Sequence, residues 1–232
     1  NAVQLPSESC IDGFDKSYNG NTMLQYLVTG NCVTDLYFNE QYKENAKKKL
    51  LEEFPESAGK TVICYVPYFR YRNEESKYVN MMDIKLLQEK LGNDYVILVN
   101  MHGDYVEGCT NLIEIDGFAK DMTGKMSIRA QFCAADIIVG DYRDSMFETP
   151  LLNVPVFMTN WDQDKFEMNR NTLYSMNELQ YGVSVKNTED FAEKVMNIGN
   201  YDYGISKMFV EKYLKNCDGH SAEKLFAGLA DL

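Results

Sequence analysis

Five clusters of polar side chains follow short apolar runs in this 232-residue chain: Arg70; His102-Gly103-Asp104; Asp116-Gly117; Asp141-Tyr142-Arg143-Asp144-Ser145; and Thr159-Asn160. If the apolar runs are strands of an open parallel sheet, these clusters sit at the carboxyl ends of strands, where such sheets bind ligands. Arg70 and Arg143 suit bidentate contacts to phosphate, and helices that start after the turns would aim backbone N–H groups at an anion. A phosphorylated ligand is the chemistry these residue types indicate.

Each residue also has a plain structural reading. His102 taken alone is a packed or solvated loop histidine. Its place between Tyr95-Val96-Ile97-Leu98-Val99 and Gly103 instead directs the imidazole into the crevice, where it could stabilise phosphate charge. His220, flanked by Gly219 and Ser221, reads either as an anion contact or as a loop residue. Ser145 and Glu148 form an S-x-x-E pattern that caps a helix as readily as it contacts a ligand, and Pro150 would shorten or kink that helix. Asp116 reads first as a turn residue, and Asp141 as either.

The elements that must position these residues follow from periodicity. Beyond residue 60, β-branched runs alternate with helical patterns, the sequence form of an α/β fold with a parallel sheet covered by helices. Strands are expected at 61–69, 95–101, 111–115, 136–140 and 154–158, with a weaker one at 182–185. Between them lie stripes such as Ile84, Leu87 and Leu91, or Phe191, Val195 and Ile198, each burying one helical face. Upstream, a strand at 24–28 precedes Thr29-Gly30, and Tyr42, Ala46, Leu50 and Phe54 mark an amphipathic helix. Two closing helices carry Ile205, Phe209 and Tyr213, and then Ala222, Leu225, Phe226 and Leu229. The domain expectation is a segment 1–59 packing on a Rossmann-like domain 60–232, with Asn1-Ala2 read as a cloning remnant.

Composition removes several function classes. A formal net charge of -12 opposes a nucleic-acid groove or a polybasic lipid patch, and Lys47-Lys48-Lys49 is interleaved with glutamates as a solvated helix face. Six scattered cysteines form no C-x-x-C pair, two histidines are too few for a zinc cluster, and a reduced cytoplasmic setting follows. No apolar run approaches the roughly 18 residues needed to insert in a membrane. The G-x-G-x-x-G, Walker and G-x-S-x-G motifs are absent, which removes dehydrogenase, P-loop kinase and esterase readings.

Nearly the whole chain resembles the CDP-glycerol glycerophosphotransferases of teichoic acid synthesis. Val62 to Arg70 looks like the family's strand ending in A-P-T-F-R, and Tyr95 to Gly103 like the strand leading to its H-P motif. Asp141 to Glu148, followed by Leu151 to Phe157, resembles D-Y-S-S-x-x-F-D and then L-L-x-K-P-x-x-F. Trp161-Asp162 with Arg170 and Tyr174 is similar to an aromatic-Asp segment and an R-G-F-Y stretch, Asp218 to Ala222 to D-G-x-A-S, and Gly30 to Asp35 to G-x-P-R-x-D.

The resemblance implies the C-terminal half of a two-domain GT-B transferase, with the acceptor polymer bound largely through an N-terminal domain outside this chain. It implies a CDP-glycerol-like donor, no metal and no cofactor, no nucleic acid and no membrane insertion. The cytoplasmic full-length protein would sit peripherally on the inner face of the membrane. Catalytic roles fall to His102 and Arg70, and donor-phosphate contacts to Asp141, Tyr142, Arg143, Ser145, Glu148, Arg170, Asp218, Gly219, His220 and Ser221. Both serines of D-Y-S-S are replaced, by Arg143 and Asp144, and Asp144 would repel a pyrophosphate unless it turns away to cap the helix. A nucleotide-sugar glycosyltransferase of capsule or exopolysaccharide synthesis and a non-catalytic binding module are the alternatives.

Overall fold

The computed structural model describes residues 2–17, 24–68, 82–101, 114–170 and 172–230, without the side chains of 169 and 170. Arg70, His102, Gly103, Asp104 and Cys109 lie outside the described residues.

Six strands form one sheet: β3 (Thr61–Val66), β4 (Tyr95–Val99), β5 (Ala119–Asp121), β6 (Ile137–Gly140), β7 (Val156–Met158) and β8 (Val183–Ser184). Their spatial order is β5-β4-β3-β6-β7-β8, and every pairing is parallel. Chain order reverses direction between β3 and β6, which makes the gap above their carboxyl ends the topological switch point of a doubly wound sheet. Gly140 ends β6 at this point because a Cβ there would meet the Val66 carbonyl oxygen at 2.7 Å.

Strand alternation sorts the core into two layers. One face carries Val62, Cys64, Val66, Leu98 and Ile138 and is covered by α2 (Glu40–Glu53), α4 (Ile128–Ala134) and Phe209 of α7 (Gly204–Tyr213). The other face carries Ile63, Tyr65, Ile97 and Val139 under α3 (Ile84–Leu91) and α6 (Thr188–Met196), whose Leu87 and Phe191 are buried. Each such apolar side chain contributes about 1.5–3 kcal/mol on burial. The helices begin where a short polar side chain satisfies free amides: Asn39 for α2, Asp83 for α3, Ser127 for α4 and Asn187 for α6.

The segment before residue 60 shares this core. Ala46, Leu50 and Phe54 of α2 lie in the same apolar cluster as Val62 and Phe132. A separate parallel pair, β1 (Ala2–Leu5) with β2 (Gln25–Val28), starts at Ala2; α1 (Ile11–Ser17) lies between the two strands in sequence, and α8 (Ser221–Ala230) places Gly228 near Leu27.

The edge strand of the sheet was not among those expected. Of 111–115, residues 111–113 lie outside the described residues, and Ile115 makes only an antiparallel bridge to Ala119. The sheet edge is instead the Ala-Lys-Asp tripeptide of β5, which pairs with Ile97 to Val99. Asp116-Gly117 accordingly forms a turn entering β5, with Gly117 at φ +67°, and not a cluster at a strand's carboxyl end. Among the described residues, no helix is long and apolar enough to cross a membrane.

Candidate functional site

The carboxyl ends of β3, β4, β6 and β7 bring together Tyr68, Asn100, residues 141–145 and Thr159. Asp141, immediately after β6, is buried and its Oδ1 accepts the Tyr68 amide at 2.9 Å. Its carbonyl accepts the Tyr181 hydroxyl at 2.8 Å, and burial together with the Asp141 charge holds the Tyr181 phenol well above its usual range. Asp141 therefore ties the backbone after β3 to that after β6, across the switch point. Tyr142 stacks on Phe166 of α5 (Gln163–Arg170) at 3.7 Å with 8° between the rings, and donates its hydroxyl to Asp162 at 3.0 Å. Tyr68 meets Phe166 edge-on.

Arg143 carries the charge of the site. From the end of β6 it reaches over the end of β3 to Asn100, which follows β4; Nη1 donates to Asn100 Oδ1 at 2.6 Å and to the Asn100 carbonyl at 3.4 Å. Asn100 itself is 4% exposed, and its amide is held by the Tyr65 carbonyl. Desolvation lowers the Arg143 pKa from its ordinary value, with the nearby Asp144 charge acting in the opposite direction. No carboxylate of the described residues pairs with Arg143, so a partly buried cation stands at the switch point with most of its five donors unspent. Two hydroxyls at the ends of the same strands, Ser145 Oγ after β6 and Thr159 Oγ1 after β7, are buried with no hydrogen-bond partner, as is Ser221 Oγ at the start of α8. A buried donor in that condition costs about 1–3 kcal/mol unless a ligand or water completes it.

Asp144 is exposed and accepts the Ser145 amide on Oδ1 at 2.9 Å, and its side chain makes no cap bond to the helix that follows. Residues Asp144–Leu152 form a run of 3-10 helix with Pro150 inside it, where its missing N–H is tolerated in a short, tight helix. The expected Ser145–Glu148 capping box does not form, since Arg143 occupies the cap position and Glu148 faces elsewhere.

Glu148 is withdrawn from the expected phosphate contacts. Both its oxygens are taken, by Arg129 at 2.8 and 2.6 Å and by the Tyr37 hydroxyl at 2.8 Å. This pairing raises the Arg129 pKa, and burial, then the Glu148 charge, pushes the Tyr37 phenol upward.

The turn at Asp218 is likewise committed to the fold. Asp35 places a carboxylate on the first amides of α8, accepting from Ser221 at 3.0 Å and Ala222 at 2.9 Å. A second anion at this helix end would meet like charge. Asp218 pairs with Lys224 at 2.6 Å, which holds its carboxyl below the ordinary range, and Gly219 packs on Phe38 at φ +91°. Exposed His220 lies 3.3 Å from Glu223. Asp218 borders a cavity with Pro150 and Asn153, at the far end of the 144–152 segment from Arg143. The structure thus gathers Asp141, Tyr142, Arg143 and Ser145, and does not join Glu148, Asp218, Gly219, His220 or Ser221 to them. Arg170 ends α5, and nothing is described of its side chain. Asn100 was not foreseen, because a lone Asn after a strand carries no signal until its partner 43 residues away is known. A largely apolar cavity of about 960 Å³ lies elsewhere, between α1, Leu173-Tyr174 and Lys212-Tyr213.

The family described as CDP-Glycerol:Poly(glycerophosphate) glycerophosphotransferase matches residues 4–230. The chain belongs to that family. Among relatives of this glycerophosphotransferase family, it is 26% identical over 202 residues to a teichoic acid poly(ribitol-phosphate) polymerase of Bacillus spizizenii, covering 86% of this chain and 32% of the relative. It is 27% identical over 233 residues to a teichoic acid glycerol-phosphate primase of Bacillus subtilis, covering 99% of this chain and 57% of the relative. The chain therefore spans just under a third of the first relative and just under three fifths of the second. A solved structure of the wall teichoic acid polymerase TagF superimposes with a TM-score of 0.79 at 20% identity, covering 97% of this chain and 56% of that one. A UDP-GlcNAc 2-epimerase of Methanocaldococcus jannaschii gives 0.54 at 15%, covering 98% and 60%. These likenesses concern the fold and bear out the Rossmann-like sheet expected for one half of a GT-B transferase.

Proposed function

We propose that this chain holds the diphosphate of a CDP-activated polyol phosphate, CDP-glycerol or a close relative, above the carboxyl ends of β3 and β6. In this reading glycerol phosphate passes to a growing teichoic-acid-type polymer, as an acceptor oxygen attacks the donor's glycerol-bearing phosphorus and CMP leaves. The observation that carries it is Arg143, a partly buried cation at the carboxyl end of β6 without a carboxylate hydrogen-bond partner among the described residues. Family membership supports CDP-glycerol as the donor. Catalysis would rest on positioning and charge stabilisation, with Arg70 and His102 assigned to the transferring phosphoryl group by sequence alone.

The acceptor is assigned to a further domain of the kind that fills the rest of the longer relatives, and the full-length protein to the inner face of the membrane without insertion by this segment. Calorimetric titration of the chain with CDP-glycerol, CDP and UDP-sugars tests the reading. Binding of the first two at least tenfold tighter than UDP-sugars is expected, and binding of none would sink it.

A further inference from the structure

We propose that Asn100 is the positioning residue of this site: a neutral partner that aims the Arg143 guanidinium across the switch point while leaving its charge for the ligand. The inference rests on the diphosphate reading above and adds a residue that no motif identifies.

Geometry motivates it. Strands lie in the order β4-β3-β6, so a contact from Arg143 to Asn100 must pass over the end of the strand between them. The guanidinium is thereby held over the carboxyl end of β3. Asn100 is itself fixed, being buried and bonded through its amide to the Tyr65 carbonyl. One of the guanidinium's three nitrogens is engaged, and Nε and Nη2 retain their donors for two oxygens of a phosphate group.

The chemistry of the partner decides how strong that cation remains. A carboxamide oxygen accepts a hydrogen bond without neutralising the group. An aspartate of the same shape would form a partly buried ion pair and cancel most of the attraction for phosphate. The carboxamide also offsets part of the desolvation cost of holding an uncompensated arginine here. Asp144, the nearest carboxylate in sequence, is exposed, accepts the Ser145 amide and makes no hydrogen bond to Arg143, so its charge reaches the guanidinium only at a distance and screened by solvent.

The test is a titration of the full chain with inorganic pyrophosphate and with CDP, for wild type, N100D, N100A, R143Q and the double variant N100D/R143Q. Circular dichroism and thermal midpoints are recorded alongside. N100D should keep or raise the thermal midpoint yet weaken both ligands at least tenfold. N100A, which loosens the arginine without neutralising it, should weaken them about threefold. R143Q should match N100D, and the double variant should bind no worse than R143Q alone. Affinity of N100D within twofold of wild type would overturn the inference, as would a further tenfold loss in the double variant. If N100D fails to fold, N100A combined with R143Q replaces it: losses that multiply independently overturn the proposal, and losses that do not multiply support it. Absence of wild-type binding to either ligand overturns the functional reading and this inference together; wild-type binding unaffected by N100D overturns this inference alone.

Discussion

The carboxylate of Asp35 accepts the amides of both Ser221 and Ala222, a contact between residues almost 190 positions apart. It joins the 3-10 helix Cys32–Phe38 to the start of α8. Gly30 packs against the same helix start, where a Cβ would fall 2.3 Å from Ser221 Oγ and 2.5 Å from the Asn216 carbonyl, with φ at +98°. Gly30 to Asp35 and Asp218 to Ala222 thus form one structural joint. Replacing Asp35 by Ala should cost about 1–2 kcal/mol, the value of a helix cap. Urea unfolding measures it, and a loss below half a kcal/mol would show that the joint is dispensable.

A second joint is the carboxylate of Glu148 between Arg129 and Tyr37. Its side chains are 28% and 13% exposed for Arg129 and Glu148, so solvent screens part of the pairing. Removing only Glu148, as E148L, should cost about 2 kcal/mol, discounted from the roughly 3–5 kcal/mol of a fully buried pair. The double variant R129M/E148L should recover much of that loss, because no charge is left unpaired. Independent, additive losses in denaturant unfolding would contradict this account. Pyrophosphate affinity should change much less than in R143Q, since neither Arg129 nor Glu148 is hydrogen-bonded to Arg143.

Much of the architecture could be read in the sequence because local pattern and global environment agree there. The Val-Ile-Cys-Tyr-Val and Val-Ile-Leu-Val runs are β-rich stretches buried on both faces, and Ile84, Leu87 and Leu91 recur at helical spacing. β5 was hidden for the converse reason: a three-residue edge strand, Ala-Lys-Asp, has neither length nor apolar pattern, whereas the more apolar Asn-Leu-Ile-Glu-Ile looked like one. The site divides in the same way. Residues 141–145 were indicated by a contiguous polar cluster after an apolar run. Asp218 to Ser221 looked equally ligand-ready, and only the distant Asp35 shows that their amides are already used. Partnerships between residues far apart in sequence, such as Asn100 with Arg143, leave no local trace.

At the switch point the space itself is a constraint. A methyl group on Gly140 would press on the Val66 carbonyl at 2.7 Å and on Met146 Sδ at 2.9 Å. The methionine can yield, but the strand carbonyl cannot without spreading β3 from β6. Gly140→Ala should therefore cost about 1–3 kcal/mol, the usual penalty of overpacking. It should also weaken pyrophosphate binding, because Asp141 and Arg143 are carried on the same backbone. A variant as stable as wild type in urea, with unchanged affinity, would show that the two strands have slack at this end.

High pH should unfold the chain through buried acids. Burial pushes the Cys133 thiol up to about 11 and also raises Cys64, Tyr37 and Tyr181. In the unfolded chain these thiols titrate near 9 and the phenols near 10, so the unfolded state releases its protons first and the native state holds more of them. With native pKa values above unfolded ones, the contribution to stability is complete below about pH 9 and is lost as pH rises toward the native values. Thermal midpoints should be level between pH 7 and 8.5, then fall steadily through pH 9 to 11. In C133A the fall over that interval should be shallower, since one of the raised groups is gone, although the added cavity lowers its midpoint at every pH. A midpoint that stays constant to pH 11 would refute the linkage, and a C133A curve parallel to wild type would remove Cys133 from it.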